Sequence, residues 1–167
     1  GRVKCELADL LLIVIEEDIV GVVTRENGLL LQAKVARNFD RLPSGSSTKK
    51  ERRLLEQLDR GRALSLYRDI GASNFIGTYT LHADAAGRVL GLRDCARFLT
   101  MPRLPYWSPL TNHARGPFQV GWPSSRVSPR IRPPVSFVDA VLRMALNNLP
   151  RLGREIKQGA QAKSCPW

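Results

Sequence analysis

Histidine and cysteine are scarce in this chain of 167 residues, with two of the former and three of the latter. Cys5, Cys95 and Cys165 are odd in number and far apart, with no C-x-x-C pair and no histidine at metal-ligand spacing. That argues against a disulfide framework and against a zinc site, and it fits a reducing compartment, which points to the cytoplasm. His82 and His113 stand alone in turn or loop sequence, with no serine or cysteine nucleophile arranged beside either. No segment approaches the roughly 18 consecutive apolar residues of a membrane span, and nothing at the N-terminus resembles a signal peptide, so no membrane partner is expected. The stretch Ser44 to Lys50 lacks the G-x-x-x-x-G-K-[ST] spacing of a phosphate loop.

Acidic charge is also in short supply. Against 26 Lys and Arg stand 15 Asp and Glu, a formal charge of +11 that favours a polyanion such as nucleic acid over an acidic small molecule. Residues 1 to 36 hold four basic and six acidic side chains, leaving 22 basic and nine acidic for the rest, so the whole excess lies beyond residue 36. The length suits a single domain with one sizeable core. We expect a core over about 5–100, a Pro/Arg-rich loop over about 100–135 and a C-terminal helix over about 136–150. The chain opens on Gly1 without Met and enters an apolar strand within ten residues, which is compatible with a piece of a longer protein.

Leu10 to Ile15 and Leu29 to Val35 are short continuous apolar runs of the kind that form strands buried on both faces. Two pairings are open. Asn27-Gly28 can make a two-residue turn in a three-strand meander, or the segment can fold near Gly21 into one long hairpin whose outer strands are direct antiparallel neighbours. A helix is expected from about Thr48 to Arg68, with Leu54, Leu55 and Leu58, joined by Leu66 and Tyr67, facing inward. Asn74 to Leu81 reads as a strand, His82 to Gly87 as a turn and Arg88 to Leu92 as a further short strand. Tyr106, Trp107 and Trp122 sit among arginines, where they either stack on unpaired bases or pin the loop to the core. In SFVDAVLRMALNNLP, Ser136 can cap a helix in which Phe137, Val138, Val141, Leu142, Ala145, Leu146 and Leu149 recur at the three-to-four spacing of an inward face, and Pro150 and Gly153 mark its end. The tail QGAQAKSCPW, from Gln158 on, reads as mobile.

Within the second apolar run, Gln32 and Lys34 are two apart and share a face, because side chains alternate along a strand. In the hairpin pairing, Asp9 lies at the matching end of the neighbouring strand; in the meander it lies at the opposite end of the sheet. A carboxylate, an amide oxygen and an ammonium meeting in one space suit metal-assisted phosphodiester cleavage. Oxygen ligands hold the Mg²⁺ or Mn²⁺, and a lysine helps to position or deprotonate the attacking water.

ELADLLLIVIE followed by LLLQAKVA resembles the core of the PD-(D/E)xK nuclease superfamily, in its variant with glutamine in place of the second acid: Asp9, 22 intervening residues, then Gln32-Ala33-Lys34. The resemblance covers roughly residues 5 to 82. It implies an α/β, restriction-endonuclease-like core, a small mixed sheet with a long antiparallel hairpin flanked by helices. It also implies that Asp9, Gln32 and the Ala33 main-chain carbonyl hold the metal, and that Lys34 is the catalytic lysine. Ala8 stands where the motif has proline. The superfamily often adds an acid from a helix before the hairpin, a part that Glu6 would take here unless residues preceding Gly1 supply it.

The expected function is a metal-dependent nuclease acting on nucleic acid, DNA before RNA, as the cutting part of a defence, restriction, repair or toxin system. Arg37, Lys49, Lys50, Arg52 and Arg53 are expected to track phosphates, and a targeting domain or protein partner is expected beside the nuclease. A non-catalytic nucleic-acid-binding module on the same fold and a basic subunit of a larger assembly are the alternatives. Metal dependence separates the first two readings.

Overall fold

The computed structural model describes residues 5–68, 73–81, 91–103, 116–125, 128–146 and 152–155. They form a mixed α/β fold: a six-stranded mixed sheet, a separate two-stranded hairpin and two helices. The sheet contains β1 (Leu10–Glu17), β2 (Val23–Ala36), β5 (Ala96–Pro102), β6 (Gln119–Pro123) and β7 (Ile131–Ser136) in that order, with β8 (Arg154–Glu155) also on β2. The hairpin consists of β3 (Leu64–Tyr67) and β4 (Phe75–Tyr79). Helix α1 (Ser46–Asp59) lies in the crossover between the parallel strands β2 and β5, and α2 (Phe137–Ala145) follows β7.

The long hairpin, and not the meander, is what forms. β1 and β2 are antiparallel neighbours, with Leu10 opposite Leu31 and Leu12 opposite Leu29, while Asn27 and Gly28 lie inside β2. The reversal is built by Asp18, whose Oδ1 accepts from the backbone N–H of Val20 at 2.9 Å and of Val22 at 2.8 Å. Gly21 completes the turn at φ +79°, a left-handed conformation that residues with a Cβ rarely adopt.

Alternation along β2 sends two sets of side chains to opposite faces. Leu30 joins Leu54, Leu55 and Leu58 of α1, Phe98 of β5 and Trp122 of β6 in one apolar cluster. Leu29 and Leu31 join Leu99, Val120, and Ala140 and Met144 of α2 in the other. β2 is therefore sandwiched between the helices, as its apolar run predicts. β1, expected to be buried on both faces, instead lies at the sheet edge, where Leu11, Ile13 and Ile15 are about half exposed. Its run of apolar residues specifies a strand but cannot say how many neighbours the strand will have.

Helix α1 ends at Asp59, not near Arg68. Gly61, at φ +85°, turns the chain out of the helix, and Leu66 and Tyr67 fall in β3. The Pro/Arg-rich segment is likewise not all loop, since β6 and β7 lie within it. Pro133 and Pro134 are compatible with β7 because it is the last strand of the sheet and needs ladder bonds on one side only. Helix α2 has the expected cap, Ser136 Oγ accepting from the Asp139 N–H at 3.0 Å, but it packs through Ala140 and Met144. Val138, Leu142 and Leu146, expected to face inward, are exposed. The small Ala140 lets the helix approach the sheet along the ridge it shares with Met144.

The thiols of Cys5 and Cys95 are free, the first exposed and the second buried, and burial pushes the Cys95 thiol up to about 12. β8 is anchored by the buried Arg154, which donates to Asp94 and to the main-chain carbonyls of Leu81 and Gly91. Among the described residues no helix is long and apolar enough to cross a membrane. The expectations for the turn at 82–87, for residues 88–90, for His82, His113, Tyr106 and Trp107, for Leu149 and Pro150 and for the tail from Gln158 fall outside the described residues.

Candidate active site

The hairpin register delivers Asp9 to Gln32. The Asp9 N–H donates to the Leu31 carbonyl at 3.0 Å, extending the β1–β2 ladder by one step beyond Leu10. Asp9 Oδ2 then accepts from Gln32 Nε2 at 2.6 Å and from the Ala33 backbone N–H at 2.7 Å. Lys34 Nζ lies 3.8 Å from the same oxygen. Because a residue's N–H and C=O leave a strand on the same edge, the Ala33 carbonyl belongs to the edge that carries Asp9. Asp9, Gln32, Ala33 and Lys34 are thus brought together as their sequence positions suggest.

Lys34 has a closer partner that the sequence reading missed. Its ammonium lies 2.6 Å from Oε2 of Glu51, in the second turn of α1, and Glu51 Oε1 accepts from Ser47 Oγ at 2.5 Å. The Glu51 side chain is only 9% exposed and that of Lys34 only 14%. A carboxylate and an ammonium this far removed from water require each other, since either alone would carry a large desolvation cost. There was a signal for Glu51: it occupies the same inward stripe as Leu54, Leu55 and Leu58, at spacings of three, four and seven. An acid on the apolar face of a helix implies a buried cation opposite it.

Gln32 presents the converse problem. The residue is 1% exposed, its Nε2 is used by Asp9, and its Oε1 has no hydrogen-bond partner. A buried amide oxygen left unpaired costs about 1–3 kcal/mol. One row further along the sheet, Thr100 is opposite Lys34 and pairs with Gln119, and it escapes that cost by donating through Oγ1 to the Phe39 carbonyl at 2.7 Å. Gln32 Oε1 has no such outlet, and its amide adjoins a carboxylate.

The remaining expected residues divide sharply. Glu6 is exposed, and among the described residues no hydrogen bond or ion pair joins it to Asp9, Gln32 or Lys34. Arg37, one residue past the end of β2, and Lys49, Lys50 and Arg53 on the outer side of α1 are exposed, as phosphate contacts need to be. Arg52 is not available for that role. Its guanidinium is held by Glu56 at 2.9 Å and by the Ser128 carbonyl at 2.5 Å, with Ser125 as a further acceptor, which ties α1 to the β6–β7 connection. Of the two readings of Trp122, the structure bears out the one that pins its segment to the core, since the residue is buried in the apolar cluster beneath α1.

No family model, no curated protein and no solved structure matches this chain.

Proposed function

We propose that this chain is a metal-dependent nuclease of the PD-(D/E)xK type, hydrolysing phosphodiester bonds in nucleic acid, with DNA as the first substrate to test. The observation that carries the reading is the cluster at the end of the hairpin, where Asp9, Gln32, Ala33 and Lys34 converge around one carboxylate oxygen while the Gln32 amide oxygen is buried without a partner. Hard divalent cations take oxygen ligands. The Asp9 carboxylate, the Ala33 carbonyl and Gln32 Oε1, once the amide makes a half-turn about its last torsion, form a ligand set of that kind. The unpaired oxygen is what makes the set fit a cation.

A bound Mg²⁺ or Mn²⁺ would supply charge stabilisation on the scissile phosphate and a more acidic water. The chain supplies the rest. Asp9 and Gln32 are fixed by the β1–β2 register, so neither must be ordered when substrate arrives. Lys34 brings a positive charge to the phosphate and to the water that attacks it. Arg37, Lys49, Lys50 and Arg53 hold the flanking backbone, in keeping with the formal charge of +11.

Cleavage of plasmid and of single-stranded DNA with Mg²⁺ or Mn²⁺, beside EDTA and a folded Lys34→Ala variant, tests the reading. Metal-dependent cutting that falls by about 10²–10⁴-fold without Lys34 is the expected result. Binding without cutting, under every metal condition, would overturn it in favour of a non-catalytic nucleic-acid-binding module. One observation favours that second reading: among the described residues no group of three or more His, Cys, Asp and Glu side chains is placed to hold a metal.

A further inference from the structure

We propose that Glu51 is a ligand of the divalent-cation site together with Asp9, and that the Lys34 ammonium is the stand-in for that cation in the metal-free protein. The inference rests on the nuclease reading and extends its ligand set to α1, a helix that the Asp-Gln-x-Lys motif does not include.

The geometry points to it in three ways. Lys34 Nζ lies between two carboxylates, 2.6 Å from Glu51 Oε2 and 3.8 Å from Asp9 Oδ2, so a single small cation already sits within reach of both. The Glu51 carboxylate is held ready for one, because Ser47 takes Oε1 and, among the described residues, Oε2 has no hydrogen-bond or ion-pair partner but the ammonium. The third is the Gln32 amide oxygen, nine-tenths buried and more, unpartnered, on the same face of β2 as Lys34. The Lys34 ammonium, spent on the two carboxylates, does not reach that oxygen. A divalent ion satisfies all three oxygens at once.

Charge leads to the same place. Gln32 is neutral where the motif more often has an acid, so Asp9 alone would give the site one negative charge. Glu51 restores the second, and with it the affinity that ligand charge confers. The ammonium and the divalent ion are then competitors for the same carboxylates. Cation binding releases Lys34 from Glu51 and makes its positive charge available to the phosphate only when the site is loaded.

Mn²⁺ binding to the full chain without nucleic acid, followed by the electron paramagnetic resonance signal of free Mn²⁺ and by calorimetry, tests this. The proteins are the natural chain, Lys34→Met, Glu51→Gln and the double variant, each checked for folding by circular dichroism. Competition requires Lys34→Met to bind Mn²⁺ several-fold more tightly than the natural chain and to gain more in Tm from it. Ligation by Glu51 requires the double variant to bind at least about tenfold more weakly than Lys34→Met. Equal binding by those two would overturn the proposal, with Glu51 only a partner for lysine and the site of Asp9, Gln32 and Ala33 intact. Unchanged affinity in Lys34→Met would overturn the competition even if Glu51→Gln failed to fold. A folded natural chain and a folded Lys34→Met that both ignore millimolar Mn²⁺ would remove the metal reading itself.

Discussion

The two sides of the sheet are built from one strand and on different rules. Beneath α2, Leu29 and Leu31 meet Leu99, Val120, Ala140 and Met144, and hydrophobic burial accounts for every residue in the cluster. Beneath α1 the same strand begins with Leu30 in an apolar cluster and then turns polar, with Gln32, Lys34, Thr100 and Glu51 sharing the interior at the end where Asp9 arrives. Buried ion pairs can often be replaced by apolar residues of similar volume without loss of stability. The contrast teaches that one strand meets two demands, apolar packing beneath α2 and the pairing of buried charge and hydrogen bonds at the polar end beneath α1.

Stability measurements sharpen the contrast most. Leu31→Ala, on the α2 side, is expected to lower the free energy of unfolding by about 2–5 kcal/mol, through lost transfer energy and the cavity left behind. The paired change Lys34→Met with Glu51→Leu, on the α1 side, is expected to leave stability unchanged or raise it by about 1–4 kcal/mol, because it removes both ions of a buried pair together. Denaturant unfolding of the two variants at one temperature checks this. If the double change destabilised the chain as much as Leu31→Ala does, the polar end would be structural and the comparison would collapse.

How much of this was legible follows from the same division. Periodicity reads well where neighbours are apolar: β2, the capped start of α2 and the Leu54, Leu55 and Leu58 stripe are all set by local patterns that the structure retains. The position of Asp9 opposite Gln32 was legible only conditionally, because both the turn at Asn27-Gly28 and the turn at Gly21 satisfied local rules. Asp18 decided it by accepting hydrogen bonds on its carboxylate from two backbone N–H groups, a detail internal to the loop. The over-long helix had a stop signal in Gly61, and LSLY after it carries a strand's alternation rather than a helix's. The edge position of β1 was not readable, since it depends on which strands end up adjacent.

The next contrast lies within α1 itself, between neighbours that the sequence presents as equals. Lys49, Lys50, Arg52 and Arg53 look like one basic row, yet only Arg52 is built into the structure. Truncating it leaves the carbonyls of Ser125 and Ser128 without their donor, so Arg52→Ala is expected to cost about 1–3 kcal/mol of stability. Its effect on the salt dependence of DNA binding should be negligible once folding is matched, which thermal melts and binding titrations on the same samples will show.

Lys49→Ala and Lys50→Ala should behave in the opposite sense, with the smallest effect on the fold and a measurable one on binding. Both side chains are exposed and neither has an ion-pair partner among the described residues, so each substitution should leave stability within about 0.5 kcal/mol. A phosphate contact that is lost takes its released counterion with it. The slope of log K against log salt should therefore shrink by about 0.7–0.9 per lysine, nearer the lower value on single strands. A double variant with an unchanged slope would place the nucleic acid elsewhere on the molecule and would leave the polar end of the α1 side without its substrate. A slope reduced by close to two contacts would put the phosphate track along the start of α1, the helix whose Glu51 pairs with the Lys34 ammonium.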